Sequence, residues 1–161
     1  AVFQKQHAND GYAIHKAHGL VDATKNEKEI VANYFSIPSN KYIIAHQQNL
    51  LALSENWKEQ LQMIASHLYI KKMGITIGAI KGKDLIPSHD LAMSDWSDLP
   101  YETAEVNLET ALQYLRRADI TLEGKKGWVL LTYMQIGLGW VKALPNRSNN
   151  YYPNDWRILN Y

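Results

Sequence analysis

The chain has 161 residues, 46% of them hydrophobic and 20% charged, with a formal charge of +1, the profile of a globular chain that buries one core or two small ones. Near-neutrality gives no polyelectrolyte signal for nucleic acid or for an anionic membrane, so any RNA affinity has to come from local patches. The absence of cysteine excludes disulfides, zinc knuckles and thiol nucleophiles, and no apolar run approaches the ~20 residues that span a bilayer.

A cytoplasmic location is the expectation. The start at Ala1, without methionine and without the order of a signal peptide, reads as that of a processed or excised fragment. Charge is segregated along the chain. Residues 1–83 carry ten Lys or Arg against six acids, Asp84 to Glu109 holds seven acids and no base, and from Leu122 onward the balance is five bases to two acids. Such a chain can present a positive face while staying near neutral; a solvated acidic surface is the alternative.

Residues 1–23, with His7, His15, His18 and two glycines, show no clear period and read as an irregular or partly strand-like lead-in. Thr24 to Phe35 opens with a cap and with Glu27 three residues on, and places Ile30, Val31, Tyr34 and Phe35 on one helical side. Pro38 and Asn40 end that helix. KYIIAH and NLLALS, around Gln47 and Gln48, read as a hairpin packed on a core. Ser54 is expected to cap a helix running to about Ser66, with Trp57, Leu61 and Ile64 sharing a face. LYIKK and GITIGAIKG follow as strands, Gly82-Lys83 turns the chain into DLIP, and Ser88 caps a short helix to Ser94.

Pro100, after the Asp-rich stretch SDWSDLP, marks the expected boundary between two subdomains. Tyr101 to Arg117 reads as an amphipathic helix with Val106, Leu108, Ala111, Leu112 and Leu115 inward. Strands are expected near ITL, GWVLLTYM and LGWVKAL, with turns at Gly124 to Gly127 and Gln135 to Gly137. The last segment is rich in turn residues and aromatics, with a strand at Trp156 to Leu159. Helices mixed with short strands and no βαβ alternation make the fold class α+β, two small subdomains, the second a compact barrel-like module.

No catalytic centre emerges. Ser88-His89-Asp90 are consecutive and cannot aim at one another in the order a triad requires, so capping and packing explain them better. His15 and His18, with His7, lack a carboxylate or cysteine to complete a metal site, and no metal is predicted. Gly74, Gly78 and Gly82 lack the order that cradles phosphates and read as turns or bulges; Gly137 and Gly139 form a lone GxG between strands.

The chemistry that remains is basic and aromatic: Arg116, Arg117, Lys125, Lys126, Trp140, Lys142, Arg147, Tyr151, Tyr152, Trp156 and Arg157, with Asn146, Asn149 and Asn150 beside them. Cations hold phosphates, flat rings stack on unpaired bases, and amides bond base edges or sugar hydroxyls. The same residues also suit plainer roles, since Trp128, Trp140 and Trp156 can be core aromatics and an Arg pair at a helix end can neutralise its dipole.

Three stretches, GITIGAIKGKDLIPSHDLAMS, ALQYLRRADI and above all KGWVLLTYMQIGLGWVKALPNRSNNYYPNDWRI, resemble the C-terminal region of RsmF-type rRNA cytosine-C5 methyltransferases of the Sun family, over roughly residues 68–161. Tyr114-Leu115-Arg116 matches the family's helix end, Gly127-Trp128 and Leu138-Gly139-Trp140 its glycine-containing strands, and Lys142 the lysine that follows. Asn150, Tyr152, Pro153 and Arg157 fit its terminal pattern. Arg117 departs from it, standing where a glycine is often found, as does the doubled tyrosine preceded by Ser148-Asn149.

The resemblance implies an extension over 1–98, mixed α+β, and a PUA-like RNA-binding domain over 99–161 that is a mostly antiparallel barrel with one main helix. Residue type and resemblance together make Arg116, Arg117, Lys142, Arg147, Asn150, Tyr151, Tyr152 and Arg157 the expected rRNA contacts, with Arg116, Lys142, Arg147, Tyr152 and Arg157 preferred. The partners would then be rRNA and the protein's own methyltransferase domain, with no membrane and no metal. The family's catalytic cysteines and S-adenosylmethionine site have no counterpart here, so the chain is expected to be no enzyme by itself and to hold no cofactor. Two other readings stand beside this one: a module docking the catalytic domain or a ribosomal protein, which predicts buried tryptophans and an exposed apolar patch, and a barrel binding a small molecule in a deep aromatic pocket.

Overall fold

The computed structural model describes residues 19–94 and 101–159. They form two sheets. The first has five strands in the order β1 (Val21–Asp22), β2 (Lys41–His46), β3 (Asn49–Ser54), β4 (Ile75–Lys81) and β5 (Asp84–Pro87), every neighbouring pair antiparallel. The second has four, β6 (Glu102–Glu105), β7 (Gly127–Tyr133), β8 (Ile136–Leu144) and β9 (Arg147–Asn150), with β6 parallel to β7 and the other pairings antiparallel. Helices α1 (Lys25–Ala32), α2 (Lys58–His67), α3 (His89–Ala92) and α4 (Leu108–Leu115) complete the α+β fold.

Local chemistry accounts for much of the first half. Thr24 and Glu27 form the expected capping box: the Thr24 hydroxyl accepts from the Glu27 amide at 3.3 Å, and the Glu27 carboxylate accepts from the Thr24 amide at 2.7 Å, satisfying donors that the first helical turn leaves free. The hairpin closes through Gln47-Gln48, with His46 opposite Asn49. Its strands are buried on both sides. Ile43, Leu50 and Ala52 join a cluster with Val31 and Phe35, while Tyr42, Ile44, Leu51 and Leu53 form another with Leu61 and Met73. Ser88 caps α3 as expected, accepting from the Leu91 amide at 3.2 Å while its own hydroxyl donates to the Thr76 carbonyl.

Several expectations are corrected. Ser54 leads into a 3-10 turn (Glu55–Trp57) with no side-chain cap, and the face given to Trp57 and Ile64 is largely open: Trp57 is 60% and Ile64 40% exposed, and Ala65 is the buried residue of α2. LYIKK makes no strand; Leu68 and Tyr69 are exposed and pairing begins at Ile75. Within Tyr101 to Arg117, helix occupies Leu108–Leu115 alone. Asn107 stops the preceding strand by capping, its side chain accepting from the Thr110 amide at 2.9 Å, and Glu102–Glu105 instead lies along β7. Leu108, assigned inward, is exposed.

ITL is not a strand either, although Ile120 is buried beside Tyr114, and the strand expected at Trp156 to Leu159 is absent: Trp156 ends a 3-10 turn (Asn154–Trp156) and the residues after it form no strand. Residues Arg147–Asn150, expected as turn, are strand β9. The expected barrel is an open sheet, because β6 and β9 are its opposite edges and do not pair. The histidines His7, His15 and His18 and the boundary at Pro100 lie outside the described residues.

The two sheets meet through the second one's inward face. Trp128 and Leu130 on β7 lie opposite Lys142 and Trp140 on β8, and Trp128 and Trp140 belong to the same cluster as Phe35, Ile77, Leu85 and Leu91 of the first half. On the other face, Leu131 and Val141 pack with Tyr114 of α4 and Ile120. Trp140 is 1% exposed. Its indole Nε1–H donates to the Ser88 carbonyl at 2.7 Å, and its ring meets Tyr101 with centroids 4.6 Å apart.

Gly139, in the lone GxG, sits at φ +143 with the Tyr114 hydroxyl pressed against the place of a β-carbon. Close approach of a side chain, not phosphate binding, explains that glycine. Replacing Trp140 tests the junction. Trp140→Phe should cost about 1 kcal/mol by removing this hydrogen bond, since the Ser88 carbonyl keeps its bond from the Ala92 amide at 3.4 Å, and Trp140→Ala about 3–5 kcal/mol by opening a cavity, read by urea denaturation. A loss under half a kcal/mol for both would mean that the two sheets do not depend on this indole.

Candidate nucleic-acid interface

The eight residues proposed to contact RNA divide into two groups according to what their side chains already touch. The first is locked into the fold. The Asn150 amide donates to the Tyr114 carbonyl at 2.9 Å and to the Ala118 carbonyl at 3.3 Å, and its oxygen accepts from the Tyr152 amide at 2.9 Å. That satisfies both donors and one acceptor pair of the side chain, which makes it a brace between the end of α4 and the tail.

Arg117 is a second brace. Its backbone lies in the left-handed region at φ 59, where the Arg117 amide donates to the Tyr114 carbonyl and the Ala118 amide to the Gln113 carbonyl, the closing pattern that favours glycine after a helix. The guanidinium donates to the Tyr152 carbonyl at 2.6 Å and the Asn150 carbonyl at 3.4 Å. Arg116 is half-buried at the C-cap of α4. Tyr152 is half-buried, its ring edge-on to Tyr114 and His89, each at 5.4 Å.

The second group faces outward. Trp128, Lys142 and Asn149 lie in one register row across β7, β8 and β9. Lys142 places its ammonium 5.3 Å from the centre of the Trp128 ring, and Tyr151, 37% exposed, meets that ring at 4.6 Å. A cation on an indole face and an aromatic edge beside it form one compact unit. Arg147 is exposed two positions from Asn149 on the same strand, so the two share a face. Lys126 is exposed next to Gly127. Among the described residues neither Lys126, Lys142 nor Arg147 has a carboxylate within ion-pair distance, whereas Lys125 is held at 2.7 Å by Glu102. Arg157 lies apart, in the tail, with its guanidinium 3.2 Å from the Asn154 side chain.

Sequence reasoning missed two arrangements. His89 from the first half sits edge-on between Tyr152 and Trp156, the latter at 5.1 Å and 60% exposed. Tyr34 and Asp84, also from the first half, line a groove together with Trp128, Lys126 and Lys142. No local motif signals either arrangement, since each depends on how the two sheets pack.

From Glu102 to Arg157 the build is that of a small module: an open mixed sheet, one helix on one face, and a cation-aromatic row on the other. Residues 101–158 match the family model described as methyltransferase RsmF PUA domain. The resemblance read over residues 68–100 lies outside the match. A search of curated proteins finds no match to the chain. No helix of the described residues is long and apolar enough to cross a membrane.

Two outcomes test this geometry. Arg117→Ala keeps the left-handed backbone strain and loses the clamp, and should destabilise by about 1 kcal/mol; Arg117→Gly also relieves the strain and should melt close to wild type. Equal losses in the two variants would contradict the account of the turn. Burial lowers the pKa of His89 against a smaller opposing pull from Asp90. The native state then holds His89 neutral while the unfolded chain takes up a proton, so this stability is present above pH ~6.5 and is lost as pH falls toward the lowered native value. His89→Gln should make the fall in melting temperature between about pH 7 and 5 shallower.

Proposed function

We propose that the chain is the RNA-binding C-terminal region of an S-adenosylmethionine-dependent rRNA (cytosine-5-)-methyltransferase, and that it holds rRNA in place for the catalytic domain of the same protein. The observation that carries this reading is the row Trp128–Lys142–Asn149 with Lys126, Arg147 and Tyr151 around it, at the rim of the face that packs on the first half, in a segment that matches the RsmF PUA domain. Cations without carboxylate partners are available to phosphate, and an exposed ring beside them is available to an unpaired base. PUA domains typically bind RNA, which fits. The chain contributes no cysteine nucleophile; its role is placement, which can supply several kcal/mol of a barrier when reactants are aligned.

The expected contact set is narrower than the sequence suggests. Lys142, Arg147, Tyr151 and Arg157 remain available to RNA, whereas Asn150 and Arg117 hold the tail. One specific observation favours a second reading for the first half: Met63 and Ile64 in α2, and Trp57 and Leu68 at its two ends, are each exposed, as expected of a surface that docks the catalytic domain or a ribosomal protein.

The test is a titration of the chain against single-stranded rRNA segments and matched duplex DNA over a range of salt. RNA-selective binding should weaken with salt, and Lys142→Ala should reduce the slope of log K against log salt by about 0.7, one phosphate contact on a single strand. Asn150→Ala should lower the melting temperature more than it changes that slope. Absence of RNA binding at low salt would remove the reading and leave the docking role.

A further inference from the structure

The groove between the two sheets has walls of different chemistry. On one side stand Lys126 and Lys142, beside Trp128; on the other stand Tyr34, just past the end of α1, and Asp84, at the start of β5. Its volume is about 460 Å³, within the ~300–1,000 Å³ of clefts that take small ligands. The two lysines have no carboxylate within ion-pair distance among the described residues. Glu102, also on this groove, is neutralised by Lys125 at 2.7 Å.

Asp84 is different. It is exposed and has no cation within ion-pair distance among the described residues, and its carboxylate accepts from the Tyr34 hydroxyl at 3.4 Å, a long contact that leaves most of its acceptor capacity open. A purely anionic ligand would be repelled by it, and a purely cationic one by the lysines. The groove therefore suits a ligand that carries an anion at one end and hydrogen-bond donors at the other, with a flat apolar body between them to lie against Tyr34.

We infer that this groove takes one unpaired RNA nucleotide, its phosphate on Lys126 and Lys142, its base against Tyr34 and an exocyclic amino group donating to Asp84. The inference rests on the RNA-binding reading above and extends the site into the first half of the chain, outside residues 101–158. Cytosine, adenine and guanine present such an amino donor, whereas uracil has none: it carries a carbonyl where cytosine carries the amino group, and its one ring donor, N3–H, stands between two carbonyls that a carboxylate disfavours. Duplex RNA is excluded because its base edges are already paired.

The experiment compares cytidine and uridine homohexamers, which differ at this edge by an amino group against a carbonyl, by fluorescence anisotropy on the whole chain at neutral pH. Wild type should bind the cytidine oligomer about tenfold more tightly, the size of one charge-assisted hydrogen bond. Asp84→Ala should abolish that preference while uridine binding stays equal or strengthens as the repulsion of phosphate is removed. Tyr34→Ala should weaken both. Asp84 is exposed and its replacement leaves the core intact, so the test stands even if Tyr34→Ala proves unfolded by circular dichroism. If both oligomers bind equally and Asp84→Ala changes nothing while Lys142→Ala still weakens binding, the groove is overturned and the RNA-binding reading stands. If neither oligomer nor longer RNA binds, both fall.

Discussion

The indole of Trp140 is the contact on which the rest of the structure turns. It comes from the central region of the second sheet, is almost fully buried, and donates its one polar hydrogen to the Ser88 carbonyl at the mouth of α3. Because Ser88 also caps α3 and donates to the Thr76 carbonyl of β4, a single residue pair ties β8, α3 and β4 together. Tyr101 against the indole and the Tyr114 hydroxyl on the Trp140 carbonyl, at 3.2 Å, extend the same knot to the start of the second half and to α4. Burial of a large aromatic with its polar group satisfied is among the stronger local contributions available to a fold of this size.

That knot decides which basic and aromatic residues are left for a ligand. With Trp140 turned inward, Lys142, two positions along the same strand face, emerges at the rim beside Trp128 instead of lying in the core. The other strand face points at α4, which is why Asn150, opposite Val141, ends up bracing carbonyls of that helix and its exit. Strand parity thus separates residues that neighbour one another in sequence: Asn149 faces the groove side, and Asn150 holds the helix.

Elements with strong local chemistry were legible in the sequence. The Thr24–Glu27 capping box, the Gln47-Gln48 hairpin, the Ser88 cap and the strands around Trp128 and Trp140 all depend on near neighbours, and they are where the residues place them. The errors have physical causes. Glu102–Glu105 continued a helical pattern on paper, yet it forms a parallel strand whose partner lies some 27 residues away, as between Thr132 and Glu105, a pairing that no local window contains. The apolar residues Trp57, Leu61 and Ile64 have helical spacing, yet Leu61 packs on the core while Trp57 and Ile64 are exposed, because periodicity identifies a face without saying what covers it. Of the site, the residue types were legible, but their division into braces and free contacts was not, since Arg117 and Asn150 differ from Lys142 and Arg147 only in tertiary partners. The glycine expected where Arg117 stands has its reason in the left-handed turn.

The bond between Trp140 and the Ser88 carbonyl spans 52 positions of chain. During synthesis at ~5–20 residues per second, Ser88 is made roughly 3–10 s before the indole that completes its surroundings. Through most of that interval the cluster of Phe35, Ile77, Leu85 and Leu91 lacks both tryptophans that close it, Trp128 being made shortly before Trp140. The first sheet is therefore born with an open apolar flank, and nascent chains stalled between these positions would be the ones most exposed to aggregation and most in need of a chaperone.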